Sequence, residues 1–96
     1  MVQVTKEAAE HLVRVRGERG FGRSDGARFL KRGAGVGLTF SKKPEPGDRV
    51  VETNGVAVFL AADVAEKLDR GIIDVGDRDG KTALYFRRRT PGKRTA

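Results

Sequence analysis

The chain has no cysteine and no tryptophan, one tyrosine and one histidine in 96 residues. Without cysteine there is no disulfide, no thiolate metal site and no thiol nucleophile, so nothing points to an oxidising compartment and a cytoplasmic location is expected. With five Phe and one Tyr as its only aromatics, the chain must build a modest core mainly from Val, Leu, Ile and Ala. Long apolar runs are also missing. The longest, Val56 to Ala62, is far shorter than the roughly 20 residues needed to cross a bilayer, and the N-terminus lacks the basic, apolar and small-residue succession of a signal peptide. No membrane insertion is expected.

What the chain has in excess is positive charge, +7 overall. The excess is concentrated at one end. The last ten residues hold Arg87, Arg88, Arg89, Lys93 and Arg94 and no acid, which leaves 15 basic against 13 acidic residues in the rest. Residues 1–86 therefore read as one nearly charge-balanced domain of a length that supports a single core, and residues 87–96 as a basic, flexible tail.

Thr5 is placed to cap a helix, with Glu7 where the positive end of the helix dipole favours an acid. Ala8, Ala9, Leu12, Val13 and Val15 fall on one broad face, with Glu7, Glu10 and Arg14 opposite. Gly17 and Gly20 are expected to end this helix, and residues 18–26 to form a polar loop. Beyond Gly26 the spacing changes to short strand candidates: Ala27 to Lys31 and Leu38 to Ser41, separated by Gly33-Ala34-Gly35-Val36-Gly37. The prolines of Pro44-Glu45-Pro46-Gly47-Asp48 mark a turn. Val50 to Thr53 and Val56 to Leu60 flank Asn54-Gly55, a favoured two-residue hairpin dipeptide. A short helix at Ala62 to Leu68, a strand at Ile72 to Val75, a turn at Asp79-Gly80 and a last strand at Thr82 to Arg88 complete the pattern. The expected fold is a small α+β domain: an N-terminal helix, then antiparallel or mixed sheet hairpins with one inserted short helix.

Sites that a motif search would offer have simpler readings. Gly33 to Gly37 lies between two strands and lacks the helix that a phosphate loop requires, so it reads as a flexible connection. Asp77, Asp79 and Gly80 lack the further oxygen ligands of a calcium loop and read as a turn. His11 has no visible partner and reads as a boundary residue of the first helix. Ser24 and Ser41 lack an activating base and an oxyanion site. No catalytic constellation is visible, and no enzyme activity or cofactor is expected. The cations Arg87, Arg88, Arg89, Lys93 and Arg94 are the candidate contacts for a polyanion.

Several stretches match one known family in order and spacing: Val4-Thr5 with Ala8-Ala9; Leu38-Thr39-Phe40; Pro44, Pro46, Asp48, Val50-Val51, Gly55-Val56 and Val58; Leu68-Asp69 with Gly71 and Ile72-Ile73-Asp74; and Leu84-Tyr85-Phe86. From Val4 to Phe86 the chain resembles the A-type iron-sulfur carriers, also called HesB-like or IscA-like. The resemblance implies a compact mixed fold, frequently dimeric or tetrameric, that receives iron or a cluster and passes it to apo-proteins. It also implies a cysteine in a glycine-cysteine-serine-glycine loop, at the interval that here is shortened to Gly33-Ala34-Gly35-Val36-Gly37, and a cysteine-glycine-cysteine near the C-terminus. Neither is present, since the chain has no cysteine, and because clusters are held by thiolates no cluster ligand carries over. Gly33 to Gly37 is thus the candidate remnant of a ligand loop. The expected function is that of a non-catalytic interaction or accessory factor still linked to iron-sulfur protein maturation. The alternative is a polyanion-binding module acting through the basic tail. A protein partner is expected, with a second copy of the chain or nucleic acid as further partners.

Overall fold

The computed structural model describes residues 2–53 and 55–88. In chain order the elements are β1 (Gln3–Val4), α1 (Lys6–Glu18), β2 (Gly26–Arg32), β3 (Gly35–Ser41), β4 (Arg49–Glu52), β5 (Ala57–Leu60), α2 (Ala62–Lys67), β6 (Gly71–Arg78) and β7 (Lys81–Arg88). The α+β class expected from the sequence is the one observed, in a single small domain. The strands divide between two sheets. One has the order β3-β2-β5-β4, and the other β1-β6-β7. Each is mixed: β2 runs parallel to β5 and β1 parallel to β6, while the hairpin pairs are antiparallel.

Thr5 starts α1 as its residue type predicts, with extended backbone and a side-chain oxygen that accepts from the Ala8 amide at 3.1 Å. The Thr5 hydroxyl also donates to Asp74 Oδ1 on β6 at 2.9 Å, so the cap is tied to a strand 69 residues away in the chain. Thr5→Ala is expected to lower stability by about 1 kcal/mol for the cap alone. A urea midpoint shift with unchanged slope would measure it.

Gly17, expected to help end the helix, lies inside it. The stop is made at Gly20, in the left-handed region at φ 83°. There the Phe21 amide donates to Arg16 O at 2.9 Å and the Gly20 amide to Gly17 O at 3.0 Å. These paired bonds satisfy the last carbonyls of the helix as a Schellman motif does. Ala8, Ala9 and Leu12 are buried as their spacing requires.

The core forms where α1, α2 and the two sheets meet. Leu12, Phe29, Val58, Leu60 and Ile73 are its largest fully buried side chains. Phe29 of β2 and Phe86 of β7 meet edge-on at 5.7 Å between ring centres, joining the two sheets. At Asp79-Gly80 both residues have positive φ, 52° and 77°, and Arg78 pairs with Lys81, so the expected turn is a two-residue hairpin of the I′ kind. The other expected two-residue hairpin is longer. Glu52 pairs with Ala57, which makes the connection four residues, because Val56 is drawn into the core at 4% exposure instead of extending the ladder. Asn54 lies outside the described residues.

Candidate functional site

The candidate remnant loop has a definite structure. Arg32 pairs with Gly35, Lys31 with Val36 and Leu30 with Gly37, so only Gly33 and Ala34 form the turn and the other three residues belong to β3. The flexible connection expected from the glycines is therefore a closed two-residue hairpin. Gly33 has φ 57°, the positive value that a type II′ turn demands of its first central residue. A Cβ on Gly37 would lie 3.0 Å from Arg32 Nε, so the Arg32 side chain lies along that position. The tip offers backbone groups, the cations Lys31 and Arg32 and the exposed Val36. It offers no side chain that ligates a metal.

Two of the five basic residues, Arg87 and Arg88, fall on the other sheet. Arg87 and Arg88, which the sequence places both at the end of the last strand and at the start of the basic tail, are the last two residues of β7, and the ladder pairs them with Ile72 and Gly71. Arg87 is also engaged through its side chain, because Nε donates to Asp74 Oδ2 at 3.1 Å. The Val75 amide, the Thr5 hydroxyl and Arg87 together hold the Asp74 carboxyl below its ordinary range. Arg89, Lys93 and Arg94 lie outside the described residues.

Residues not singled out from the sequence complete this end. A cleft of about 500 Å³ lies between the turn that follows α2 and the end of β7. Lys67 at the end of α2 and Arg70 in the turn line it on one side, Arg87 and Arg88 of β7 on the other, and Leu68 and Phe86 supply partly buried apolar surface. Asp69 also lines it. The cations converge because Gly71 doubles back tightly. Its amide donates to Leu68 O at 2.6 Å, and a Cβ there would stand 2.8 Å from that oxygen. Only glycine fits this approach. The sequence held one sign of it, the Leu68-Asp69 stretch with Gly71, but no spacing rule links positions 67 and 70 to 87 and 88.

Among the described residues no group of three or more His, Asp or Glu side chains converges to hold a metal ion. His11 Nδ1 lies 2.9 Å from Arg14 Nη2. Partial burial, and then the Arg14 charge, lower the His11 pKa, which favours a neutral ring that accepts from Arg14. Ser41 Oγ donates to Lys43 O at 2.8 Å and serves a turn. Arg16, buried at 6% exposure, donates to Asp25 O at 3.0 Å and Gly55 O at 3.3 Å, clamping two loops.

Comparison with solved structures decides the architecture. The crystal structure of Escherichia coli SufA, described as involved in the biosynthesis of iron-sulfur clusters, superimposes with a TM-score of 0.72 over 91% of this chain and 84% of that one, at 20% identity. IscA with a [2Fe-2S] cluster gives 0.69 over 92% and 85%, at 24% identity. The chain has the SufA/IscA fold. No protein-family model matches the sequence, and no curated protein does. For a chain with this fold, the chemistry of the donors tests whether a cluster fits. Iron-sulfur clusters take thiolate ligands, occasionally with histidine, and these 96 residues contain no cysteine and one histidine, His11. That histidine lies on α1, within reach of Arg14, and not at the hairpin tip. A thiolate-held cluster does not fit these residues.

Proposed function

We propose that this chain is an A-type carrier scaffold that has lost its cluster ligands and serves, without catalysis, as a protein-interaction or accessory factor linked to iron-sulfur protein maturation in the cytoplasm. The observation that carries this reading is the β2–β3 hairpin. Where the resemblance calls for a cysteine-bearing loop, the strands close over two residues with no thiol, while the fold matches SufA over 91% of the chain. A scaffold retained without its ligands must act through surface shape and charge. No helix of the described residues is long and apolar enough to cross a membrane.

Anaerobic incubation of the full chain with ferrous iron and sulfide tests the proposal. After desalting, the protein is expected to carry neither the visible absorption of a cluster nor stoichiometric iron and sulfide. Retention of both in stoichiometric amounts would overturn it.

A second reading, polyanion binding through the basic C-terminal residues, is supported by the continuity of the sequence cations with Arg87 and Arg88 at the end of β7. On this reading the affinity for single-stranded DNA falls steeply with salt. Replacing Arg89, Lys93 and Arg94 with Gln would flatten the slope by roughly 0.7 per lost phosphate contact. A slope that the triple replacement leaves unchanged would remove the tail from the reading.

A further inference from the structure

Strand β7 is an edge. In the order β1-β6-β7 it pairs on one side only, so along its eight residues one row of backbone donors and acceptors has no ladder partner among the described residues. Such an edge is a template for another strand. At its C-terminal end lies the cleft of Lys67, Arg70 and Arg88, with Leu68 and Phe86 as partly buried apolar surface. We propose that the edge of β7 and this cleft form a docking site for an extended acidic segment of a partner protein, which adds as a strand and sets its carboxylates among Lys67, Arg70 and Arg88.

Charge selects the occupant. The cations that line the cleft with open side chains are Lys67, Arg70 and Arg88, against the single acid Asp69. Arg87 is turned to Asp74, and Lys67, Arg70 and Arg88 are exposed. A second copy of the chain is a poor occupant. Antiparallel pairing of two β7 edges would bring Lys81 of one toward Arg87 and Arg88 of the other, and parallel pairing would stack the arginines. Like charges across a strand pair are destabilising. Cations on an edge guard against self-association, and the same cations attract an acidic strand. Nucleic acid fits less well, since single strands need a row of open aromatic faces. Here Phe86 is turned edge-on to Phe29 and half-buried, and Tyr85, exposed but set against Gly76, is a single ring and not a row. An unpaired backbone row is matched by peptide and not by phosphates.

This inference rests on the protein-interaction reading, and its test separates the two. The chain of residues 1–96 is titrated with a fluorescent peptide of alternating Glu and Val, matched to the eight residues of β7, with a Lys-Val peptide and a short oligo-dT strand as controls. The Glu-Val peptide is expected to bind, to slow hydrogen exchange at outward amides of β7, and to weaken as salt is raised to about 0.15 M. Lys67→Glu with Arg70→Asp should weaken it by about tenfold. Aspartate is chosen at position 70 because the backbone there is left-handed, at φ 63°, a region that Asp tolerates. Replacing Arg89, Lys93 and Arg94 with Gln should change the affinity by less than about twofold if the site lies in the cleft. Several results would overturn the inference: no binding of the Glu-Val peptide, equal binding of the Lys-Val peptide, unprotected β7 amides, loss of binding in the Gln variant, or oligo-dT protecting the same amides in its place. None of these touches the cluster result, and a reconstituted cluster would remove the accessory reading while leaving peptide binding measurable.

Discussion

Phe29→Ala is expected to lower the free energy of unfolding by about 3–5 kcal/mol, the range for truncating a buried Phe. Its side chain is 2% exposed and sits at the centre of the four-stranded sheet, opposite Leu38 of β3 on one side and Leu60 of β5 on the other. The ring also meets Phe86 of the second sheet. Truncation therefore opens a cavity at the junction of the two layers, where backbone ladders on both sides limit collapse. A domain of this size has roughly 5–15 kcal/mol of stability, so the variant would retain a small part of it. Phe29→Leu should cost less than about half as much, because most of the volume is kept. Urea unfolding followed by circular dichroism measures both. A loss under about 1 kcal/mol for Phe29→Ala would mean that the sheets are not joined through this ring. Substitutions at the exposed tip residue Val36 should fall within about 0.5 kcal/mol of wild type, which would separate a structural core from a hairpin tip that carries no structural weight.

Local chemistry made part of this fold legible. Thr5 and the spacing of Ala8, Ala9 and Leu12 define α1, and Asp79-Gly80 defines the last hairpin, because a cap, a face and a pair of positive φ angles each depend on residues close in sequence. The collinear stretches from Val4 to Phe86 also point to the fold that SufA and IscA share with this chain. Other features depend on distant partners. β1 is two residues long and exists only because it runs beside Ile72 and Ile73 of β6, so it has no periodicity to detect. The division into two sheets is set by which strands pair, and a strand pattern alone does not say that β2 lies beside β5. In the stretch from Gly33 to Gly37, three glycines suggest flexibility, yet Gly33 alone has the positive φ, and Gly35 and Gly37 are in a ladder. The basic cleft was hidden for the same reason: Lys67 and Arg70 become neighbours of Arg88 only after Gly71 returns the chain against Leu68.

Asp48→Ala is expected to cost about 3 kcal/mol at neutral pH, since it removes an acceptor from a charged pair and leaves an occluded guanidinium without its partner. The Asp48 side chain is 2% exposed and that of Arg28 is 18% exposed. One carboxylate oxygen accepts from Arg28 Nε at 2.9 Å and from the Glu45 amide at 2.9 Å, and the other from Arg28 Nη2 at 3.1 Å. The bond from Arg28, then the Glu45 amide, hold the Asp48 pKa below its ordinary value of 3.8, against the opposing effect of burial. A depressed folded value means that the folded state binds its proton less readily than the unfolded chain. The contribution is therefore whole above the ordinary value and is lost as pH falls through the folded one. The gap between wild type and Asp48→Ala should accordingly narrow as pH falls below the ordinary value and level off below the folded pKa, in urea unfolding repeated across pH. A gap that stays constant would assign the loss to packing and not to charge. Replacing both residues with apolar ones of similar size, Arg28→Met with Asp48→Leu, should recover most of the loss, as it does for buried pairs elsewhere. The pair fastens the Pro44 to Asp48 turn to β2 and so fixes where β4 begins. In a chain that no thiolate or disulfide can cross-link, side-chain contacts of this kind and the Phe29 junction must hold the two-sheet scaffold together.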